Sequence, residues 1–421
     1  MENNNNEVLL KVENLCQYFK LGKRELKAVD NVSFEIHKGE VFGLVGESGC
    51  GKTTTGRTII KLYDATSGNV YFKGQRIVAG TRSYTDEKKR LKKEAKENIA
   101  KLEEELKDNP EELKVEKDKI NEELSVKISE LNQKIASAKY DHNNCDKEFS
   151  NRLVKEVEEK YAPLLEEAKN DEEKLKEVTK EYKKELRIAK NSKLVTQIQM
   201  IFQDPIASLN PRMTVQEIIS EGLIIKGIKD KKYIQEKVYE ILEMVGLVRE
   251  HATRYPHEFS GGQRQRIGIA RSVIMNPDMI IADEPVSALD VSIQAQVVNL
   301  LNDLRNKLGL TILFVAHDLS VVKYFSDRIG VMYFGKMVEL ASSDELFAHP
   351  VHPYTRSLLS AIPLPDPEYE KKRVRITYNP IAEHDYSVDK PSLKELVPGH
   401  FVYCNDEEEK RYKKEFFGIE E

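Results

Sequence analysis

The feature that most constrains the fold is a glycine-rich loop that directly follows a short apolar run near the N-terminus. The run, Val41–Val45, is typical of a buried parallel strand. Residues 46–53, Gly-Glu-Ser-Gly-Cys-Gly-Lys-Thr, match the pattern G-x-x-x-x-G-K-[ST]. The glycines let successive backbone N–H groups turn inward around a phosphate, and a helix that begins near Lys52 adds its positive end. The sequence therefore predicts an α/β domain with a phosphate-binding loop.

Further residues supply the chemistry that a phosphate site needs. Lys52 would reach the β- and γ-phosphates of a nucleotide, and the Thr53 hydroxyl would ligate Mg²⁺. A second apolar run, residues 279–282, is followed by Asp283 and Glu284. An acidic residue at the carboxyl end of such a strand can hold the hydration shell of Mg²⁺, and its neighbour can orient or deprotonate an attacking water. Taken alone, this acidic pair is a weak signal, because charged residues commonly end strands.

A second polar, glycine-rich turn lies between these motifs, at residues 259–263. It precedes a strongly patterned helix that we predict over residues 264–275. The exposed N–H groups of the turn and the Ser260 hydroxyl form a second anion-binding helix start. The chain thus has two phosphate-type sites but only one phosphate loop.

In this order, the motifs resemble the ATP-binding cassette of ABC transporters. The residues that carry the resemblance are the Walker A loop 46–53, Gln203 within 201–205, the signature Ser260, Gly261, Gly262 and Gln263, the Walker B residue Asp283 with Glu284, the D-loop 287–290 ending at Asp290, and the switch His317. In that family two cassettes pair head to tail, so the signature of one subunit faces the nucleotide held by the other. The resemblance therefore accounts for the surplus of phosphate-type sites.

The resemblance also implies which residues bind ATP. Phe19, with Tyr18 as the alternative, would stack on adenine. The remaining nucleotide-binding residues would be Gly46, Glu47, Ser48, Gly49, Cys50, Gly51, Lys52, Thr53 and Thr54. Cys50 also has a simpler interpretation as a small filler residue. The alternative is a reactive thiol, with its pKa lowered by the helix N-terminus, whose modification ATP would block.

Catalytic and metal-binding roles follow from the same resemblance. Glu284 would be the general base, and His317 would contact the γ-phosphate. Gln203 would touch the nucleotide site and open the loop that meets the membrane subunit, although it could also be no more than a polar residue at a strand end. Mg²⁺ would be held by Thr53, Gln203 and Asp283.

Two longer stretches indicate a branch of the family. Residues 203–212 and 352–367, together with the tail segments 385–387, 391–393 and 398–402, resemble the ATPases of oligopeptide/dipeptide permeases. Many members of this branch carry a cysteine cluster in the C-terminal extension, thought to hold an iron–sulfur centre. Here the extension has only Cys404, and a single thiolate cannot ligate a four-iron cluster, so we expect no such cluster.

The partners that this branch implies are a homologous D-type ATPase, two integral-membrane permeases and an extracellular peptide-binding protein. The subunit would lie peripherally at the cytoplasmic face of the cell membrane. Peptides, nickel and another small solute all remain open as the transported substrate, because the substrate contacts lie on other chains.

Composition limits location and partners. The N-terminal residues MENNNNEV lack the basic and apolar regions of a secretory signal. Apolar runs such as residues 310–316 are too short to cross a bilayer. The four cysteines lack C-x-x-C spacing, which favours a reducing, cytosolic setting. A net charge of −5 provides no basic face for nucleic acid, so we expect none as a partner.

The charge of the chain is concentrated in residues 84–190, which contain 26 Lys or Arg and 29 Asp or Glu. Apolar residues recur there at steps of three, four or seven, the period of a coiled coil. A polar reversal at residues 141–144 would separate two helices of about 45–50 residues, giving an antiparallel hairpin about 70 Å long. Pro110 and Pro163 suggest a kink or break in each arm. The alternative is a solvated, partly disordered insertion.

A coiled-coil arm raises a second functional class, the ATPases of DNA repair and chromosome maintenance that resemble SMC proteins. In the repair ATPases the coil leaves after the glutamine loop, whereas here it leaves before Gln203. The permease-like C-terminal extension has no counterpart there either. The transporter interpretation is therefore favoured.

These observations predict an α/β P-loop NTPase with a helical subdomain over residues 206–270. The central sheet would hold residues 41–45, 279–282 and 312–316. We divide the chain into an ATPase core at 1–83 and 191–345, a helical-hairpin insertion at 84–190 and a permease-type C-terminal extension at 346–421.

Overall fold

The computed structural model describes residues 7–107, 109–362 and 375–419. The end of the permease-like stretch, residues 363–367, lies outside the described residues. The same is true of residues 1–6 in the predicted N-terminal unit.

Twelve strands in the described ranges form two sheets. They are β1 (Val8–Leu21), β2 (Arg24–His37), β3 (Val41–Val45), β4 (Ser67–Phe72), β5 (Gln75–Thr81), β6 (Ile198–Ile201), β7 (Met279–Asp283), β8 (Thr311–Ala316), β9 (Arg328–Tyr333), β10 (Lys336–Ser342), β11 (Ser392–Val397) and β12 (His400–Cys404). The larger sheet has the order β11-β12-β10-β9-β3-β8-β7-β6, and the smaller, antiparallel sheet has the order β2-β1-β4-β5.

Fourteen α-helices lie in the same part of the chain. They are α1 (Lys52–Ile59), α2 (Arg82–Glu105), α3 (Pro110–Glu167), α4 (Glu172–Asn191), α5 (Pro205–Ser208), α6 (Val215–Ile225), α7 (Lys231–Met244), α8 (Gly261–Val273), α9 (Val291–Leu308), α10 (Leu319–Phe325), α11 (Ser343–Ala348), α12 (Pro353–Ser360), α13 (Pro380–Glu383) and α14 (Asp406–Phe417). Short 3₁₀ turns lie between several of them.

The parallel part of the larger sheet consists of five strands, β9, β3, β8, β7 and β6, with β6 at the edge. Strands β3, β7 and β8 are buried along their whole length, as expected of apolar strands that are covered on both faces. The prediction that residues 41–45, 279–282 and 312–316 share a central sheet is confirmed. Because these strands are parallel, their carboxyl ends meet at one edge, where open α/β sheets bind ligands.

The charged segment is helical, but it is not the hairpin of two long helices that the sequence suggested. The expected reversal at residues 141–144 lies inside α3, which continues for 58 residues. The chain instead reverses before Pro110 and before Glu172, where Asn109 and Asp171 cap the helices that follow. The expectation of a break was right for Pro110, at the first turn of α3, whereas Pro163 lies within the same helix.

Helix α3 forms two antiparallel pairs. Its first half packs on α2, where Lys117 lies 2.6 Å from Glu103 and Lys88 donates to Asn132. Its second half packs on α4, where Ser150 donates to the carbonyl of Ala189 at 3.0 Å. The charged segment is therefore an arrangement of three helices in which α3 packs against both α2 and α4.

The middle of α3 is attached to the core of the molecule. Cys145 and Phe149 are buried in the hydrophobic cluster that also contains residues of β1, β4 and β5. Arg76, on β5, donates to the Asp141 carboxylate at 2.5 and 2.9 Å and to Ser137. Lys61, just after α1, donates to the carbonyl of His142 at 2.6 Å. Helix α3 is therefore held to the core near its midpoint.

The C-terminal region continues the central sheet. Strand β12 pairs with β10, and β11 pairs with β12, all antiparallel. Helices α5 to α8 occupy the region predicted as a helical subdomain. Among the described helices, none is long and apolar enough to cross a membrane.

Candidate active site

The loop 46–53 leaves β3 in the way that the sequence predicts, and α1 begins at Lys52. Two of its glycines have positive φ and no room for a side chain. A Cβ on Gly46 would lie 2.2 Å from the carbonyl oxygen of Met332, and one on Gly51 would lie 2.1 Å from that of Ala28. Gly49 also has positive φ but faces open space. The backbone geometry of the loop therefore requires glycine at positions 46 and 51.

Lys52 is buried, and its ammonium group is held by the loop itself. Its Nζ donates to the carbonyl oxygens of Gly46 at 2.7 Å and Glu47 at 2.9 Å. Only 3% of the residue is exposed. A cation is thus fixed on the inner side of the loop, where a phosphate would need its charge neutralised.

Thr53 and Asp283 bring the two predicted nucleotide motifs together. The Thr53 hydroxyl donates to Asp283 Oδ1 at 2.6 Å. Asp283 is fully buried, and burial raises its pKa against the opposing effects of Thr53 and Arg57. Within the part of the chain that the structure describes, its other oxygen, Oδ2, accepts no hydrogen bond, and it lies 3.9 Å from Arg57. A hydroxyl beside a carboxylate with a spare oxygen is the oxygen-donor set that Mg²⁺ prefers.

Two of the three predicted catalytic residues contact one carboxylate oxygen of the third, Glu284. Gln203 donates from Nε2 to Glu284 Oε2 at 2.9 Å, and His317 Nδ1 lies 3.3 Å from the same oxygen. They come from the segments that follow β6, β7 and β8, so the parallel sheet accounts for their meeting. Together with Ser48 they border an open cavity of about 580 Å³.

Cys50 is buried beneath the loop, with 5% of its surface exposed. Burial raises the pKa of its thiol, against the opposing effect of Lys52. The filler interpretation therefore fits this environment, whereas a thiol activated by the helix N-terminus does not.

The two residues considered for adenine stacking have different surroundings. Phe19 packs edge-on against Tyr63, shortly after α1, with ring centroids 5.3 Å apart. Tyr18 donates to Asp30, and its ring lies under Lys27 and Arg82. Phe19 has fewer competing contacts, so it remains our prediction for the adenine contact.

The signature forms a helix start in a different place from the phosphate loop. Ser260 caps α8 and forms a capping box with Gln263, so the helix begins three residues before the predicted start. The positions of Gly261 and Gly262 lie against Leu289 and Ile293. No hydrogen bond links the signature to the phosphate loop within the described residues.

The D-loop residue Asp290 precedes α9, where its backbone carbonyl accepts from the N–H groups of Ile293 and Gln294. It lies on the side of the molecule that carries the signature.

Two residues near the site were not predicted. Arg57 approaches Asp283 from the second turn of α1, and Tyr354 accepts a hydrogen bond from the Glu47 N–H at 3.1 Å. Arg57 lies five residues after Lys52 on the same helix, and this spacing could have indicated that it lies near the site. Tyr354 is part of the stretch used to assign the branch, but nothing in the sequence relates it to a loop about 300 residues away.

An apolar parallel strand, a glycine loop that anchors a buried lysine, and a hydrogen bond between Thr53 and Asp283 at the carboxyl end of β7 define a P-loop nucleotide-binding domain. Family models agree with this class. One described as "ABC transporter" matches residues 29–159 and 161–287, and one described as "Oligopeptide/dipeptide transporter, C-terminal region" matches residues 338–389. The chain belongs to the ABC transporter family of ATP-binding subunits and is an ATPase.

Several relatives match nearly the whole chain. The chain is 46% identical over 407 residues to the oligopeptide transport ATP-binding protein OppF of Bacillus subtilis, covering 96% of this chain and 99% of that protein. It is 42% identical over 409 residues to the oligopeptide transport ATP-binding protein AmiF of Streptococcus pneumoniae, with 97% and 98% covered. It is 42% identical over 410 residues to the dipeptide transport ATP-binding protein DppF of Lactococcus lactis, with 96% and 97% covered.

A solved structure agrees on the fold. A crystal structure of an ATP-binding cassette of an ABC transporter, in its ADP conformation, has a TM-score of 0.50 and 20% identity. The match covers 84% of this chain and 99% of that one. At this identity the likeness concerns the fold alone.

Proposed function

We propose that this ATPase energises the uptake of oligopeptides through a transporter in the cell membrane. Relatives named for oligopeptide or dipeptide transport match at least 96% of the chain, which supports this substrate class. The observation that carries the ATPase part of the proposal is the meeting of Thr53, Asp283 and Glu284 at one edge of the sheet, beside the buried Lys52.

Nucleotide binding would depend on the loop and on one aromatic ring. Lys52 would neutralise charge on the β- and γ-phosphates, and the loop residues 46–54 would surround the phosphate oxygens. Phe19 would stack on adenine. Thr53 and Asp283, with Gln203, would hold Mg²⁺, which neutralises charge that develops on the phosphate oxygens.

Glu284 would orient and deprotonate the attacking water. Gln203 and His317 both contact the carboxylate of Glu284. These contacts hold the carboxylate in one orientation, which supports a role for Glu284 in positioning the water. The transferred phosphoryl group would lie between this water and the leaving ADP, so catalysis would consist largely of positioning and charge stabilisation. His317 would contact the γ-phosphate.

The signature would complete the site of a second cassette. Ser260 heads α8 and Gly261 in its first turn is exposed, an arrangement suited to a phosphate. The homologous D-type ATPase would be the second cassette, and residues 260–263 and Asp290 would face its nucleotide. The same proposal includes two integral-membrane permeases, an extracellular peptide-binding protein and a position at the cytoplasmic face of the membrane. It includes neither nucleic acid nor an iron–sulfur cluster.

The domain division is part of the proposal. We infer that residues 84–190 are an insertion between core parts 1–83 and 191–345, with an extension at 346–421. The composition of the segment and the return of the chain to β6 beside β7 support the insertion. The continuity of β11 and β12 with the central sheet gives the extension a structural role as well.

Replacing Glu284 with Gln tests the catalytic assignment. We expect Glu284→Gln, in the assembled transporter, to bind ATP normally and to hydrolyse it at a rate lowered by about 10²-fold or more, because one positioned proton acceptor is lost. Uptake of a radiolabelled oligopeptide by cells should fall in parallel. ATP turnover and uptake are measured on the same preparations.

A matched control is Glu240→Gln, which alters an exposed carboxylate on α7 that pairs with Lys237. It should retain both activities. Near wild-type hydrolysis by Glu284→Gln would refute the role of Glu284, and normal hydrolysis without peptide uptake in the wild-type complex would refute the substrate class.

A further inference from the structure

The phosphate loop is in direct contact with the C-terminal region. The Glu47 N–H donates to the Tyr354 hydroxyl oxygen at 3.1 Å, although 307 positions separate the two residues in the chain. Tyr354 lies on α12 and has 2% of its surface exposed. A backbone group of the loop is therefore engaged by a buried side chain and is not free to contact a phosphate.

The peptide unit between Gly46 and Glu47 carries a second hydrogen bond. Its carbonyl oxygen, that of Gly46, accepts from Lys52 Nζ at 2.7 Å. A trans peptide unit is planar, and its N–H and C=O groups point in opposite directions. One rigid group therefore lies between Tyr354 on one side and the Lys52 ammonium on the other.

Without Tyr354, this peptide unit would have little to fix its orientation. The peptide follows Gly46, and because glycine lacks a side chain, rotation about the ψ angle of Gly46 meets little steric resistance from that residue. Rotation would carry the Gly46 carbonyl away from Lys52 Nζ. The Glu47 carbonyl also accepts from Lys52 Nζ, at 2.9 Å, so the position of the buried cation depends in part on what holds the opposite edge of the Gly46–Glu47 peptide.

Tyr354 is itself held on several sides. Its ring lies 4.4 Å from that of Tyr333 and 5.6 Å from that of Tyr378, measured between centroids. Its N–H donates to Nδ1 of His352, which caps α12. Burial lowers the pKa of His352 to about 3, so the ring is neutral and its Nδ1 can accept.

The start of α12 is anchored to the central sheet. Glu339, fully buried on β10, accepts from the N–H groups of Val351 at 2.8 Å and His352 at 3.0 Å. His400, on β12, lies 2.9 Å from the same carboxylate. A continuous set of buried polar contacts therefore extends from the C-terminal strands through α12 to the phosphate loop.

We propose that Tyr354 is a positioning residue for nucleotide binding: by holding the Gly46–Glu47 peptide, it fixes the Lys52 ammonium where the phosphates of ATP bind. The inference rests on the proposed role of Lys52. It gives the C-terminal region a direct effect on the affinity of the cassette for ATP.

The test compares Tyr354→Phe with Tyr378→Phe in the full-length protein. Both variants lose one hydroxyl from the same ring cluster, but only Tyr354 contacts the phosphate loop. We expect Tyr354→Phe to raise the dissociation constant for a fluorescent ATP analogue about 3- to 10-fold, the scale of one net hydrogen bond, and Tyr378→Phe to leave it unchanged. Thermal unfolding of both variants reports any loss of stability.

The outcomes separate this inference from the proposed function. If the wild-type protein does not bind ATP, or if Lys52→Ala binds it as well as the wild type, the proposed role of the loop fails. If those two behave as expected and Tyr354→Phe binds ATP like Tyr378→Phe, whatever its unfolding temperature, Tyr354 only packs and the inference is overturned.

A second measurement tests the inference even if the Tyr354→Phe variant fails to fold. Amide hydrogen exchange in the wild-type protein should show the Glu47 N–H protected, because it donates to a buried hydroxyl. Exchange at the rate of an unprotected amide would overturn the inference without any variant.

Discussion

Glu284 has a backbone conformation that glutamate rarely adopts. Its φ is 44°, in the left-handed region, where a side chain is disfavoured. Its N–H donates to the carbonyl of Val315 at 2.9 Å, and its carboxylate is fixed by Gln203 and His317. Contacts on both sides thus stabilise a strained residue at the proposed catalytic position, which is where such strain is usually found.

Cys50 offers a prediction at the residue scale. Its thiol is buried and its pKa is raised, so at pH 7 the reactive thiolate is scarce and poorly accessible. We expect maleimide to label Cys50 slowly in the native protein, at the same rate with and without ATP. Mass spectrometry of labelled peptides after timed quenching provides the rate.

The control for this experiment is the same protein in 8 M urea, on the order of the concentration that unfolds most small domains. There Cys50 should label at the rate of a free thiol. Rapid native labelling that ATP suppresses would contradict the prediction and would restore the reactive-thiol interpretation.

The sequence predicts the inner part of the site because spacing determines it. Lys52 and Thr53 belong to the loop that follows β3, and Asp283 ends β7, a parallel strand of the same sheet separated from β3 by β8, so the topology brings Thr53 and Asp283 to the same edge. Tyr354 could not be found in this way. Its contact with Glu47 depends on how α12 packs against the sheet, and no local pattern encodes that distance.

At the scale of elements, α3 shows how tertiary contacts can override a local signal. Polar residues 141–144 suggested a turn, but Asp141 binds Arg76 and the carbonyl of His142 binds Lys61. Both contacts are made by residues inside α3, which continues as one helix where it packs on the core. The actual turns occur at Asn109, before Pro110, and at Asp171. In both places an Asn or Asp side chain caps the helix that follows, which is a recognisable signal of a helix start in a sequence.

The attachment of α3 can be tested by removing its main ion pair. Arg76→Ala leaves the partly buried Asp141 carboxylate without its partner, and we expect the docking of the α3 midpoint to weaken by about 1.5–3 kcal/mol. Hydrogen exchange of residues 137–149 should become faster, whereas residues of β3 should be unaffected.

Lys117→Ala is the matched control for that experiment. It removes another ion pair of α3, with Glu103, that is more exposed, so its effect should stay within about 0–1 kcal/mol. Equal exchange at residues 137–149 in wild type and Arg76→Ala would mean that apolar burial at Cys145 and Phe149 alone holds the segment.

At the scale of the whole molecule, the C-terminal region is joined to the ATPase core by buried polar groups. His400 on β12 contacts Glu339 on β10 and Glu345 on α11. Burial disfavours the charged ring, but the hydrogen bonds to Glu339 and Glu345 outweigh it, so the pKa of His400 is raised. One buried contact between the two regions therefore depends on the protonation of an imidazole.

This dependence predicts a specific effect of pH on stability. Because the folded-state pKa of His400 is above its unfolded value, its contribution is fully present below about pH 6.5 and is lost as the pH rises through the folded-state value. We expect the difference in the free energy of unfolding between wild type and His400→Gln to be largest at acidic pH and to shrink as the pH rises. Urea unfolding at several pH values measures it.

His352 acts in the opposite direction, since burial lowers its pKa to about 3 and its contribution is lost as the pH falls below about 6.5. It is present in both proteins, so it cancels from the difference. His349→Gln is the control, because its half-exposed ring also contacts Glu345 but lies outside the buried pair. A wild-type advantage over His400→Gln that stays constant with pH would mean that His400 joins the two regions by packing rather than by its charge.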